Sequence, residues 1–183
     1  MALPERYRFS VADYELMIEA GILTEDDRVE LLAGEIVAMG PIGGEHVGRV
    51  NVLSNRLVRQ VDPAIIVSVQ NPIRLSDDSE PQPDIALLRP GTPTHAVPDA
   101  ADVLLVIEVA ESSRDTDRNV KFPIYAAAGI PEAWLVDLVA GVIERHTEPR
   151  NGRYTLVALA GRGESLPSTV LPHLTFVADD VLG

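Results

Sequence analysis

The chain has no cysteine among its 183 residues, so neither a disulfide framework nor a thiolate zinc site is open to it. No window approaches eighteen uninterrupted apolar residues, and residues 1–10 lack the apolar core of a secretion signal. The expectation is a soluble cytoplasmic protein. Positive charge is scarce: 15 Lys and Arg stand against 28 Asp and Glu, a net charge of −13. That balance argues against a general nucleic-acid coat, which needs a basic surface to neutralise phosphates. Lysine is the scarcest cation. Fourteen of the fifteen basic residues are Arg, and the one Lys is Lys121. Arg keeps its proton permanently, whereas Lys is a compact point charge whose pKa can move, so the exception marks a position that could use the difference. A phosphate-cradling loop is missing too, because Gly43-Gly44 is followed by neither a Walker lysine nor a Gly-x-Gly-x-x-Gly spacing.

What the chain does have is 46% hydrophobic residues, enough for one domain over residues 1–183 with a substantial core. Its organising stretch is Val103-Leu104-Leu105-Val106-Ile107-Glu108-Val109-Ala110, an apolar run broken once by a carboxylate. A run without polar alternation reads as a central strand covered on both faces. An unpaired charge there is costly, so Glu108 needs a cation. Upstream, Glu80-Pro81-Gln82-Pro83-Asp84 leads into Ile85-Ala86-Leu87-Leu88, a second strand with an acid at its entrance. If the two strands are neighbours, Asp84 and Glu108 converge, and two hard oxygen ligands with room for water suit Mg²⁺ or Mn²⁺. Lys121 lies thirteen residues beyond Glu108, on an expected helix that packs back over the strand.

In chain order, Ser10-Val11-Ala12-Asp13 reads as a capping box opening a helix that ends at Gly21. Residues 28–32 and 35–39, joined through Ala33-Gly34, read as a β-hairpin. Within it Glu35 faces solvent, while Glu30 points either outward or toward the acidic cluster. A glycine-bearing loop over 41–45 precedes a helix over 46–61, with Val47, Val50, Leu53, Leu57 and Val61 on one stripe and Arg49, Arg56 and Arg59 recurring at helical spacing. His46, in its first turn, either faces the site or caps the helix. Strands follow over 65–69 and 72–75, the second near an edge because it begins with proline. After the Asp84 strand and a Pro/Gly-rich loop comes the Glu108 strand, then a polar turn and the Lys121 helix, in which Pro123 requires a first turn or a kink. Trp134 belongs to a buried strand over 133–137. Strands over 142–146 and 154–158 form a late antiparallel section, and the tail closes on a short helix.

An acid in a hairpin, a helix, Pro-Asp at a strand, an acid in the next strand and a downstream Lys together resemble the PD-(D/E)XK nuclease superfamily. Within it the chain is most similar to the bacterial Uma-two family of restriction-endonuclease-like proteins. The likeness covers Val29-Glu30-Leu31 through Gly34-Glu35, His46, Pro83-Asp84, Ile107-Glu108-Val109 with Ser112-Ser113, Asp117 with Lys121 and Tyr125, and Gly129-Ile130-Pro131-Glu132 into Trp134-Leu135-Val136-Asp137. One departure matters: two residues after Glu108 stands Ala110 rather than Lys, and the resemblance puts the lysine at Lys121. It implies an α/β (α+β) fold with an αββαβ-type core, a mixed central sheet flanked by helices. It also implies Mg²⁺- or Mn²⁺-dependent hydrolysis of nucleic acid, DNA first. Asp84, Glu108 and the backbone carbonyl of Val109 would hold the metal, and Lys121 would orient water or stabilise the phosphate. Glu30 would bind this metal or a second one, with His46 beside it. A homodimer is expected from the unshielded strands and hairpin. Arg at position 121 is expected to impair cleavage with little effect on folding. The rival reading is a nuclease fold that has lost cleavage and serves as an acidic partner-binding or assembly subunit, which the net charge favours; a third is hydrolysis of a small phosphate ester. For each residue there is a plain alternative: a turn and cap for Asp84, an ion pair with Arg114 or Arg118 for Glu108, a surface position for Lys121.

Overall fold

The computed structural model describes residues 6–24, 26–41 and 43–183. Residues 1–5 of the expected signal-free N-terminus and Ile42 of the glycine-bearing loop lie outside the described residues. Helix α1 (Val11–Glu19) is opened by the expected capping box, with Ser10 and Asp13 each bonding the other's backbone. The hairpin β1 (Val29–Leu32) and β2 (Glu35–Ala38) follows, then α2 (Gly44–Gln60). Strands β3 (Ile66–Val69), β4 (Ile85–Leu88), β5 (Val103–Ala110), β6 (Glu132–Asp137), β7 (Val142–Arg150) and β8 (Arg153–Ala160) form one six-stranded sheet in that order. Only the β5–β6 pair is parallel, and every other neighbour is antiparallel. The sheet is therefore mixed, as expected. The parallel pair needs a crossover, supplied by helix α3, which runs through Arg114–Thr116, Asp117–Lys121 and Phe122–Ala127.

Alternation along β5 decides what each layer buries. Leu105, Ile107 and Val109 face α2 in a core with Val50, Leu53, Leu57, Trp134 and Phe176. Val106 and Ala110 face the other layer, with Phe122, Tyr125 and Ile130 of α3 and its exit. Because side chains alternate from Leu105 onward, Glu108 points with Val106 and Ala110 toward α3.

The structure departs from the sequence expectations in two places. Residues 72–75 do not form a strand of the sheet: Ile73 donates its amide to the Pro81 carbonyl and Arg74 to that of Pro98, so this extended piece is held by loops. The tail carries, besides the short helix α4 (Ala178–Leu182), a small hairpin of β9 (Ser165–Pro167) and β10 (Thr175–Val177). Three-residue strands leave too short a pattern to read from sequence.

Leu105 is 0% exposed between the two layers, whereas Leu156 on the edge strand β8 is 49% exposed. Leu105→Ala is expected to lower unfolding stability by about 2–5 kcal/mol, and Leu156→Ala by under about 0.5 kcal/mol, in urea denaturation.

Candidate active site

Register brings the two strand acids together. Ile85 pairs with Ile107, so the residues just beyond, Asp84 and Glu108, stand opposite each other. The Asp84 amide lies 3.4 Å from Glu108 Oε2. The Asp84 carboxylate accepts from the Val109 amide at 2.8 Å and from Gln70 Nε2 at 3.3 Å. His46 Nε2, carried by the first turn of α2, lies 3.0 Å from both of its oxygens.

Glu108 is 3% exposed and takes its cation from α3: Lys121 Nζ lies 3.3 Å from Oε1, and the Tyr125 hydroxyl donates to the same oxygen at 2.5 Å. Lys121 is itself only 5% exposed, so it is no surface lysine. On its far side Glu30 Oε2 sits 3.1 Å away and is held in turn by the Gln82 amide at 3.0 Å. Glu30 thus points inward. The structure places His46 on Asp84 rather than beside Glu30. The arginines that might have neutralised Glu108 are engaged elsewhere, since Arg118 bonds Asp137 at 2.9 Å and also Glu144, and Arg114 lies 4.0 Å from Asp137.

The shape of α3 explains the reach of Lys121. Its middle turn, Asp117–Lys121, is a π-helix, in which the Phe122 amide bonds back to the Asp117 carbonyl. The wider turn turns both Asp117 and Lys121 inward, where both are buried. Pro123 then falls in the first turn of the α-helical remainder, where its missing N–H is tolerated. Tyr125 and Asp117 lie four residues to either side of Lys121, a spacing that marks one helix face and could have drawn attention to them without the family likeness. Ser113 donates to Asp117 at 2.6 Å.

These groups lie along a cleft of about 960 Å³ between the hairpin, the end of α1 and the start of α3. Among the described residues six carboxylates line it (Asp27, Glu30, Asp84, Glu108, Glu111 and Asp117), against two basic side chains, Arg28 and Lys121. Crowding and burial show in the titration of these groups. Burial pushes the Glu108 carboxyl well above the usual range, with the charge of Lys121 opposing it. Burial likewise raises Asp117 to about 6, against its bond from Ser113. Burial works against the Lys121 ammonium, but Glu108, Glu30 and Asp117 outweigh it and hold its pKa above the ordinary value. The hydrogen bond to Asp84 raises His46, against burial.

The donor chemistry fits a small, hard divalent cation. Lys121 and Tyr125 both occupy Oε1 of Glu108, leaving Oε2 with the Asp84 amide alone. Continuing the register sets Pro83 opposite Val109, and proline has no N–H to give a facing carbonyl. A strand residue's N–H and C=O point to the same edge, so the Val109 carbonyl faces the corner its amide already serves. Among the described residues no three His, Asp or Glu side chains are arranged as a metal cluster. Two carboxylates and a carbonyl leave most of a shell to water, which Mg²⁺ tolerates because it dehydrates reluctantly.

Because Glu108 and Asp117 bind protons more tightly folded than unfolded, their contribution to stability is full below the ordinary carboxylate pKa and, for Asp117, is lost as pH rises through about 6. The metal-free protein is expected to lose about 1–3 kcal/mol of stability between about pH 5 and about pH 7.5. Asp117→Asn is expected to remove part of that slope in denaturant titrations at the two pH values.

No curated protein matches this chain at a significant level. Among solved structures, a protein from Anabaena variabilis described as "a putative nuclease belonging to DUF820" superposes with a TM-score of 0.73 at 13% identity, covering 95% of this chain and 97% of that one. At that identity the likeness is one of fold. A family model described as "Putative restriction endonuclease" matches residues 11–179, which contain every site residue named above. The chain belongs to this family, Uma2, whose likeness was first visible in the order of its acids and its single lysine.

Proposed function

We propose that the protein is a Mg²⁺- or Mn²⁺-dependent endonuclease that hydrolyses phosphodiester bonds of nucleic acid, DNA first, at the corner where β4 and β5 present Asp84 and Glu108. The observation that carries this reading is the chain's one lysine, buried between Glu30 and Glu108 at the floor of a cleft. Strongly perturbed acids in a cleft, held by a specific charge partner, favour a reactive site over a docking face. The net charge of −13 is what favours the rival reading of an acidic partner-binding subunit, but that reading gives Lys121 no task.

Asp84, Glu108 through Oε2 and the Val109 carbonyl are the groups that would hold the cation. When bound there, it supplies Lewis-acid stabilisation of a phosphate oxygen and makes water a better nucleophile at neutral pH. The other residues divide the remaining work. His46, Gln70 and the Val109 amide fix the Asp84 carboxylate, and Tyr125 fixes Glu108, so the two acids are set in place before substrate arrives. Glu30 keeps Lys121 charged and aimed at the cleft. Lys121 places a compact positive charge where negative charge grows on the attacked phosphate.

Asp84→Asn, Glu108→Gln and Lys121→Met are each expected to reduce cleavage of supercoiled plasmid and of single-stranded oligonucleotides by at least about 100-fold. Chelation of the metal should abolish it. A wild-type protein that cuts no nucleic acid, or variants that cut as well as wild type, would overturn the reading.

Lys121→Arg is expected to lose cleavage as well. An effect on folding is expected too, because a guanidinium needs more room than the 5%-exposed ammonium leaves. That variant should also unfold about 1–3 kcal/mol earlier in urea, measured beside its activity.

A further inference from the structure

We infer that the substrate segment engaged by this cleft is unpaired: a single-stranded stretch whose bases lie against an apolar wall, not a duplex followed along its phosphates. The inference rests on the nuclease reading and concerns which form of nucleic acid that site takes.

A groove that tracks a phosphate backbone is lined with Lys and Arg. Among the described residues, this cleft has two such groups against six carboxylates, and Lys121 is already shared between Glu30 and Glu108. Arg28, the other, spends one donor on the Gly40 carbonyl at 2.9 Å. The arginines recurring along α2 do not help. Arg49 lies 3.5 Å from Glu45 and Arg56 lies 2.6 Å from Asp180, while Arg56 and Arg59 border a separate groove that shares no residue with the cleft. One bound divalent cation compensates for charge at the scissile phosphate and cannot serve its neighbours, which lie beyond the two carboxylates that would hold it.

Affinity must then come from the part of a nucleotide that is not charged. Besides the acids, the cleft is lined by apolar side chains: Ile18 and Leu23 from the end of α1 and its turn, Val37, which pairs across the hairpin with Glu30, and Met39 and Pro41 from the hairpin's exit. Ile18 is 47% exposed, an apolar side chain left in water on the rim of a polar site. Bases in a duplex bury their faces in the stack and offer such a wall nothing. An unstacked base offers a flat apolar face. The side-chain amides of Gln70, Asn71 and Gln82 also line the cleft; each spends a donor within the protein, on Asp84, Ser68 and the Gln70 carbonyl, which fixes its carbonyl oxygen as an acceptor for base edges. A volume of about 960 Å³ suits a few such nucleotides rather than the width of a double helix.

The test is binding by fluorescence anisotropy, with Ca²⁺ replacing Mg²⁺ to prevent turnover, to one labelled DNA strand alone and annealed to its complement, across a salt series. The single strand is expected to bind at least about tenfold tighter, with a log–log salt slope shallower than about −2, the value for two or three phosphate contacts. Ile18→Asn and Met39→Asn, at positions outside the acid cluster, should each weaken single-strand binding severalfold without changing that slope. Retained urea midpoints would show that both variants fold. Single-stranded RNA bound as well as DNA supports the inference, since the wall touches bases and not sugars. A duplex bound as tightly as the strand, with a slope steeper than about −4, overturns it while leaving the nuclease reading intact. Loss of all cleavage and binding, with every polymer, overturns both.

Discussion

One ammonium group joins three separate pieces of the chain. Lys121 comes from the crossover helix α3, Glu108 from the central strand β5 and Glu30 from the hairpin, and they meet within 3.3 Å in a place almost without water. A buried charge is tolerated only when paired, and removing one partner of a buried pair costs about 3–5 kcal/mol because the other is left uncompensated. The same constraint orders the surroundings. The Gln82 amide occupies Glu30, and the Tyr125 hydroxyl shares Glu108 with the lysine, so the ionic contacts are backed by oriented dipoles.

The sheet sets where this can occur. From Leu105 on, odd residues of β5 turn to α2 and even ones to α3, so an acid at 108 can only meet α3. Asp84 is positioned differently, one residue before β4 begins, where the ladder has ended and the carboxylate can reach the Val109 amide and the histidine of α2. The pair therefore collects partners from both layers at a strand end. Pro83 contributes by what it lacks, since a donor at that position would close the ladder over the corner.

Much of this was legible in the sequence, for identifiable reasons. Glu108 stood out because a charge inside an apolar run has to be explained. Lys121 stood out because the chain otherwise writes Arg. The hairpin and helix α2 followed from periodicity, whereas the mixed sheet was what the family resemblance implied, and alternation alone left Glu30 free to point either way. Tyr125 and Asp117 were less visible as site residues, because a tyrosine or an aspartate on a helix is ordinary until the helix face is known. The π turn that turns Asp117 and Lys121 inward depends on packing over β5 and has no periodic signature. Residues 72–75 have strand composition, but loop carbonyls took their amides. The arginine spacing of α2 was legible too, but not the partner of Arg56, which is Asp180, far along the chain.

The position of the acids at the seam of two layers bears on the order in which the site can form. Asp84 is braced by α2 on one side of the sheet and Glu108 by α3 on the other, so a chain still emerging or half assembled has at most one of them in place. The helix that braces Glu108 is followed in sequence by β6, which pairs with β5, so the sheet holds α3 at both ends. The paired acids are thus a late product of assembly, complete only once both helical layers have closed on the sheet.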